Sequence, residues 1–165
     1  MDKLNKEDLH KVSQFSIFKS LCASEFESAL QGAAVKNVKH REVIYKLGDS
    51  ADCFCVILEG AVKLIRPTPK GSDVIMFVAS VGDVVGALLM NPNFSVPFPV
   101  QVKAIGPTKI ICIPRSTYNN FWTKNSNLMT MLNSILFQRM NFIQDEKTMQ
   151  SAPLKSRISS LLLKH

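Results

Sequence analysis

The stretch Gly82-Asp83-Val84-Val85-Gly86-Ala87-Leu88-Leu89-Met90, followed by a proline-bearing loop and then Val100-Gln101-Val102-Lys103-Ala104, decides how this chain reads. Locally it predicts a Gly turn, one short apolar helical turn, a loop and a strand. Gly82 and Gly86 free the backbone for positive φ or for a close approach. Amides that open a short helix point outward and suit an anion. This is the skeleton of a phosphate cradle. Yet no acid or base occurs between Val84 and Val102.

On both sides of this stretch the chain is built of short apolar runs. Residues 43–47, 53–59, 61–66 and 74–79 read as strands before it, and 100–104 and 109–113 after it. Glycines at 48, 60, 71 and 82 punctuate them at a regular spacing of eleven or twelve residues. Short strands with turn signals at that interval predict an antiparallel sandwich or barrel. Prolines 92, 97 and 99 keep the loop after Met90 out of any central strand.

Helices flank this β region. Apolar positions Leu4, Leu9, Val12, Phe15 and Phe18 predict helical turns over 4–19. Ser24 and Glu27 have capping-box spacing, which predicts a helix over 25–31 that ends at Gly32. Ser116 caps a short helix burying Tyr118, Phe121 and Trp122. Asn125-Ser126-Asn127 then caps a long one. Leu128, Leu132, Ile135, Phe142 and Met149 alternate by four and three along it, with Arg139 and Glu146 at the intervening seam positions. Met129, Leu136, Met140 and Ile143 form a second stripe. That combined face is too wide for one partner, so one side is expected on the sandwich and the other on a second copy. The expected dimer interface is Leu128, Leu132, Ile135, Arg139, Phe142 and Met149. Ser151-Ala152-Pro153 breaks the helix, and a short basic helix follows over 154–164.

Hydrophobic residues make up 46% of the 165 and charged residues 20%, enough for a packed core. No run of eighteen apolar residues spans a membrane, and the N-terminus lacks a signal-peptide core, so a cytoplasmic protein is expected. The net charge of +7 permits nucleic acid without establishing it. Cysteines stand at 22, 53, 55 and 112 and are expected to be reduced. Cys53 and Cys55 share a strand side, but no His or further Cys lies near them in sequence to complete a metal site. The sequence has no Ser/His/Asp arrangement, no paired carboxylates in a cleft pattern, no His-x-x-x-His and no P-loop. An enzyme is not expected.

Taken in order, these pieces resemble the cAMP receptor protein/Crp–Fnr superfamily of bacterial regulators. The matching segments are Phe18–Leu21, Gly48-Asp49 and the run from Phe54 to Leu64. They continue with Gly82-Asp83-Val84-Val85-Gly86, Ile113-Pro114-Arg115, and Arg157-Ile158 with Leu161-Leu162. The resemblance covers residues 15–165. It implies a mainly β fold with flanking α: a double-stranded β-helix or jelly-roll, like a cyclic-nucleotide-binding domain, with a long C-terminal dimerisation helix. The implied division is a β-roll with N-terminal helices over 1–125, a dimerisation helix over 126–150, and a stub over 151–165 like the first helix of a DNA-binding domain. The implied function is the sensor and dimerisation module of a transcription regulator. The alternative is a stand-alone protein of this fold that lacks a helix-turn-helix and acts through protein contacts. DNA readout requires a complete helix-turn-helix beyond the stub.

The departures from the family are informative. Nucleotide-binding members place a Glu for the ribose 2′-hydroxyl where this chain has Ala87, and an Arg for the cyclic phosphate where it has Phe98. A desolvated phosphate without its counter-charge costs about 2–5 kcal/mol, a loss of tens- to thousands-fold in affinity. cAMP and cGMP are therefore disfavoured, and no other cofactor is expected. The effector-pocket candidates are Val85, Gly86, Ala87, Leu88, Phe94, Phe98, Pro99, Val100, Phe142 and Ile143, the last two standing near the family's purine-reading positions. They suit either an unidentified apolar effector or a pocket filled by Phe98. A haem would need His10 or His40, each isolated, and the cysteine spacing does not match the iron–sulfur members.

Overall fold

The computed structural model describes residues 2–50, 52–68, 71–91 and 96–151, with side chains described as far as 145. Two four-stranded antiparallel sheets form the body. The first has the order β1 (Ala34–Val38), β8 (Thr108–Pro114), β3 (Cys53–Glu59), β6 (Val84–Val85). The second has the order β2 (Val43–Tyr45), β7 (Gln101–Ala104), β4 (Val62–Pro67), β5 (Asp73–Ala79). Sequential strands alternate between sheets for much of the chain, as in a jelly roll. The mainly β fold expected from the glycine rhythm is the fold observed.

The two central strands of the first sheet explain its packing. β3 reads Cys-Phe-Cys-Val-Ile-Leu-Glu and is buried from Phe54 to Leu58, so both of its faces are covered. Phe54 meets Trp122 edge-on at a centroid distance of 4.8 Å and Tyr118 at 5.8 Å. That face therefore lies under the helices. Successive side chains alternate, so Cys53, Cys55 and Ile57 project toward the second sheet. β5, the edge strand of that second sheet, leaves Val74, Ile75 and Val78 exposed. Where β3 turns into β4, Gly60 has φ +82°, and a Cβ there would lie 2.6 Å from the Pro107 carbonyl oxygen. Any side chain at this turn would collide with backbone.

Helix α1 (Lys6–Ser13) covers the roll through one buried ion pair. Asp8 lies opposite Lys109 of β8, Oδ1 to Nζ 2.5 Å, and its side chain is 3% exposed. Asn5 caps the helix by accepting from the Asp8 amide at 2.8 Å. The helix ends at Ser13, and turns carry the chain on to Lys19, where the apolar spacing predicts one continuous helical region. Helix α2 (Ala23–Ala29) begins two residues before the expected start. Its cap is Cys22, whose amide donates to Glu25 Oε2 at 2.9 Å. The i to i+3 spacing that Ser24 and Glu27 present is also presented by Cys22 and Glu25, and the latter pair forms the contact. Trp122 Nε1 donates to the Ala29 carbonyl at 2.9 Å, fixing α2 over the first sheet.

Helix α3 (Arg115–Asn120) starts straight from β8, capped by Pro114 and not by Ser116. Two strands had no counterpart in the sequence reading, β1 and the two-residue β6. Helix α4 (Ser126–Ser151) begins where expected, Asn125 Oδ1 accepting from the Leu128 amide at 3.0 Å. Contacts group the chain into residues 1–131 and 132–165. Within the first unit Leu128 is fully buried, so it belongs to the core and has no surface to offer a second copy. On the part of α4 in the second unit, Leu132 is buried, Ile135 and Arg139 are half-buried, and Phe137, Met140 and Phe142 are 62%, 55% and 52% exposed. The Met149 side chain and the expected helix over 154–164 lie outside the described residues. Among the described residues no helix is long and apolar enough to cross a membrane.

Candidate functional site

The cassette forms as its glycines require. Val84 and Val85 pair with Val56 and Cys55, ending the first sheet at its β6 edge. Gly86, at φ +89°, turns the chain into a 3-10 turn over Ala87–Met90. Arg115 holds the far end of that turn, donating to the Leu89 carbonyl at 3.2 Å and to the Met90 carbonyl at 3.4 Å. A cation at a helical C-terminus suits the partial negative charge of its carbonyls.

What faces Gly86 is Phe98. A Cβ on Gly86 would lie 3.0 Å from Phe98 Cζ and 3.7 Å from Phe54 Cβ. The Phe98 ring is 2% exposed and stacks on Tyr45 at a centroid distance of 4.1 Å and an interplanar angle of 15°. Its backbone is fixed as well: the Phe98 amide donates to the Asp49 carbonyl, and its carbonyl accepts from the Gly48 amide, both at 2.9 Å. The chain around Phe98 is thus tied to the Gly48-Asp49 turn while the ring inserts beneath the cassette.

The candidate residues divide by burial. Val85, Ala87 and Phe98 are buried, and Gly86 is half-buried. Leu88 is 52% exposed and Pro99 is exposed, so neither adds to the interior; Val100 is half-buried. Val96, Phe98 and Val100 would share a face if the segment were extended, but residues 96–98 form no strand, and Val96 is exposed while Phe98 is buried. Phe94 lies outside the described residues. Phe142 is exposed and Ile143 half-buried on the second unit's part of α4. His40 is held through Nδ1 to the Ile105 carbonyl.

Sequence reasoning missed two residues that shape the interior. Tyr45, on β2 of the opposite sheet, donates its hydroxyl proton to the Cys53 carbonyl at 3.0 Å, and its oxygen lies 3.6 Å from Cys53 Sγ. Burial pushes the Tyr45 phenol far above its ordinary value, so it stays protonated. Cys112 stands directly opposite Cys55 across the β3–β8 ladder. It carries its sulfur onto the face shared by Cys53 and Cys55. Only the strand register joins positions 57 residues apart, which the linear spacing of cysteines does not reveal. Among the described residues no group of His, Cys, Asp or Glu converges tightly enough to hold a metal ion.

Residues 35–125, more than half of the chain, match the family described as cyclic nucleotide-binding domain. The chain belongs to that family. Solved structures share the fold of this cyclic nucleotide-binding domain. The sensor domain of the transcriptional regulator DNR from Pseudomonas aeruginosa superposes with a TM-score of 0.69 at 20% identity, over 86% of this chain and 93% of that one. The catabolite activator protein of Thermus thermophilus gives 0.67 at 18% identity, over 82% of this chain and 62% of that one. A curated relative, lysophospholipase nte1 of Aspergillus fumigatus, is 22% identical over 120 residues, 73% of this chain and 8% of that protein. The chain thus spans less than a tenth of the length of the curated relatives it matches.

Proposed function

We propose that this domain is the sensor and dimerisation part of a Crp–Fnr-type transcription regulator, one that does not use the charged contacts of a cyclic-nucleotide site. The observation that carries this reading is the seat of Phe98. The position expected to supply a phosphate-pairing guanidinium supplies a buried ring, packed between Gly86 and Tyr45. Ala87, expected to be the ribose-binding Glu, is 3% exposed and offers only a methyl group. An anion beneath the cassette would have to displace the ring and then find no counter-charge from either residue.

In this reading the roll acts by binding and shape, without catalysis. Its signal passes to a second copy through the exposed apolar residues Phe137, Met140 and Phe142 of α4, which a lone helix would leave in water. A dimer that changes helix geometry sets the spacing of two DNA readers when a helix-turn-helix is attached. The same roll without a reader works through a protein partner, the second reading, supported by the exposed apolar edge strand β5.

The test is thermal unfolding with cAMP and with cGMP at millimolar concentration. Stabilisation follows RT ln(1 + [L]/Kd). A Kd of about 10 μM would raise stability by about 2.7 kcal/mol at 1 mM ligand, which moves Tm by several degrees for a chain of this size. The expected shift is below about 1 °C. A shift of several degrees with either nucleotide would overturn the reading.

A further inference from the structure

We propose that Cys53 and Cys112 form an oxidisable thiol pair inside the roll, converted by a hydroperoxide into an intramolecular disulfide. Three thiols share one face of the first sheet. Cys55 lies directly opposite Cys112, and Cys53, two residues along the same strand, lies diagonal to it. Their surroundings give them different roles. Cys55 is completely buried and Cys112 is 6% exposed, whereas Cys53, at the end of β3, is half-buried and the most accessible of the three. An oxidant meets Cys53 first.

Cys53 is also the thiol prepared to react. A hydrogen bond from Cys112 holds the Cys53 thiol below its ordinary value, against the burial that raises it, while the Tyr45 hydroxyl, its proton on the Cys53 carbonyl, lies 3.6 Å from the sulfur. Lys36 supports the thiolate and Asp52 opposes it. Cys112 is pushed the other way, because it supplies the shared proton and because it is buried. One sulfur of the pair is thus a nucleophile at neutral pH and the other a protonated reserve beside it.

The chemistry balances within the pair and its oxidant. The Cys53 thiolate attacks the peroxide, an S–O bond forms, the O–O bond breaks, and alkoxide or hydroxide leaves. The sulfur has lost two electrons and is a sulfenic acid. Cys112 then attacks that sulfur; the S–S bond forms and the S–O bond breaks. The departing hydroxide takes the Cys112 proton as water. Diagonal neighbours start slightly far apart for a disulfide. The hydrogen bond between the Cys112 and Cys53 side chains nevertheless brings the two sulfurs together, and the backbone beside them is held where the Arg115 amide donates to the Asp52 carbonyl at 2.8 Å. Tyr45 connects the event to the candidate site, since its hydroxyl bonds to Cys53 and its ring stacks on Phe98.

The test exposes the folded, reduced full chain to hydrogen peroxide, blocks remaining thiols, and maps peptides by mass spectrometry, with exposed Cys22 as internal reference. The expected product links the peptides carrying Cys53 and Cys112. Cys53→Ser is expected to lose that link and leave Cys112 reduced. Cys112→Ser is expected to leave a Cys53 sulfenic acid that dimedone traps. Reversal of the link by a dithiol restores the starting thiols. A product joining Cys55 to Cys112, oxidation confined to Cys22, or survival of both Cys53 and Cys112 as thiols in excess peroxide would each overturn the proposal.

Discussion

Replacing Phe98 by alanine tests whether its ring is the structural centre of the candidate site. The side chain is 2% exposed, stacked on Tyr45 at 4.1 Å, and in van der Waals reach of the Gly86 backbone. Truncating a buried Phe removes its transfer free energy and leaves a cavity, together about 3–5 kcal/mol. The stacking on Tyr45 is part of that figure. With a urea m-value of about 2 kcal/mol/M, the unfolding midpoint should fall by about 1.5–2.5 M. A cycle with Gly86→Ala isolates the local contact. Alone, Gly86→Ala should cost about 1–2 kcal/mol for a side chain at positive φ, plus the displacement of a ring 3.0 Å from the new methyl. In the Phe98→Ala background only the backbone part remains, so the double variant should be more stable than the sum of single effects predicts, by about 0.5–2 kcal/mol. Equilibrium urea unfolding followed by Trp122 fluorescence measures all four proteins. A loss below about 1 kcal/mol for Phe98→Ala, or strict additivity of the pair, would refute the packing argument.

Three further outcomes are expected. Lys109→Met leaves the Asp8 carboxylate buried without its cation and should cost about 3 kcal/mol in urea unfolding, with Asp8→Asn/Lys109→Met recovering part of it; an unchanged midpoint for Lys109→Met would count against the pair as the anchor of α1. Glu25, held by the Cys22 amide, Glu42, held by the Lys39 amide and Lys36, and Glu59, held by Lys11, all sit below their ordinary value. A depressed folded value means their stabilisation is complete above the unfolded value of about 4.5 and is lost as pH falls through the folded values. Thermal melts should show Tm declining from about pH 4.5 downward, less steeply when the three are Gln, and a Tm that rose on acidification would contradict the sign. Met140→Asp/Phe142→Asp should shift sedimentation from dimer to monomer while the circular dichroism spectrum is retained; a persistent dimer would move the interface elsewhere.

Much of the fold was legible because turn chemistry is local. The positive φ values at Gly48, Gly60, Gly71 and Gly82 follow from the same residues that marked the strand ends in sequence. The cassette was legible for the same reason, since Gly86 at φ +89° requires only its own neighbours. Features set by competition between equivalent local choices were less legible. Ser24 with Glu27 and Cys22 with Glu25 have the same spacing, and helix α2 uses the pair with the weaker capping residue. A two-residue strand such as β6 carries no period to read. Leu128 looked like part of a seam because periodicity marks an apolar face without saying what covers it. Least legible were the contacts made by register alone. Nothing in the spacing of Cys53, Cys55 and Cys112 announces that β3 and β8 set them side by side. Nor does the loop before Val100 reveal that Tyr45 is the ring on which Phe98 packs.

The most direct test of the account is calorimetric titration of cAMP into the wild-type chain and into an Ala87→Glu/Phe98→Arg variant. The account predicts no saturable binding by the wild type up to millimolar cAMP and a gain of tens-fold or more on restoring the two charges, in line with the cost of an unpaired phosphate. Saturable micromolar binding of cAMP by the wild type, with Phe98 and Ala87 in place, would contradict it whatever the variant does.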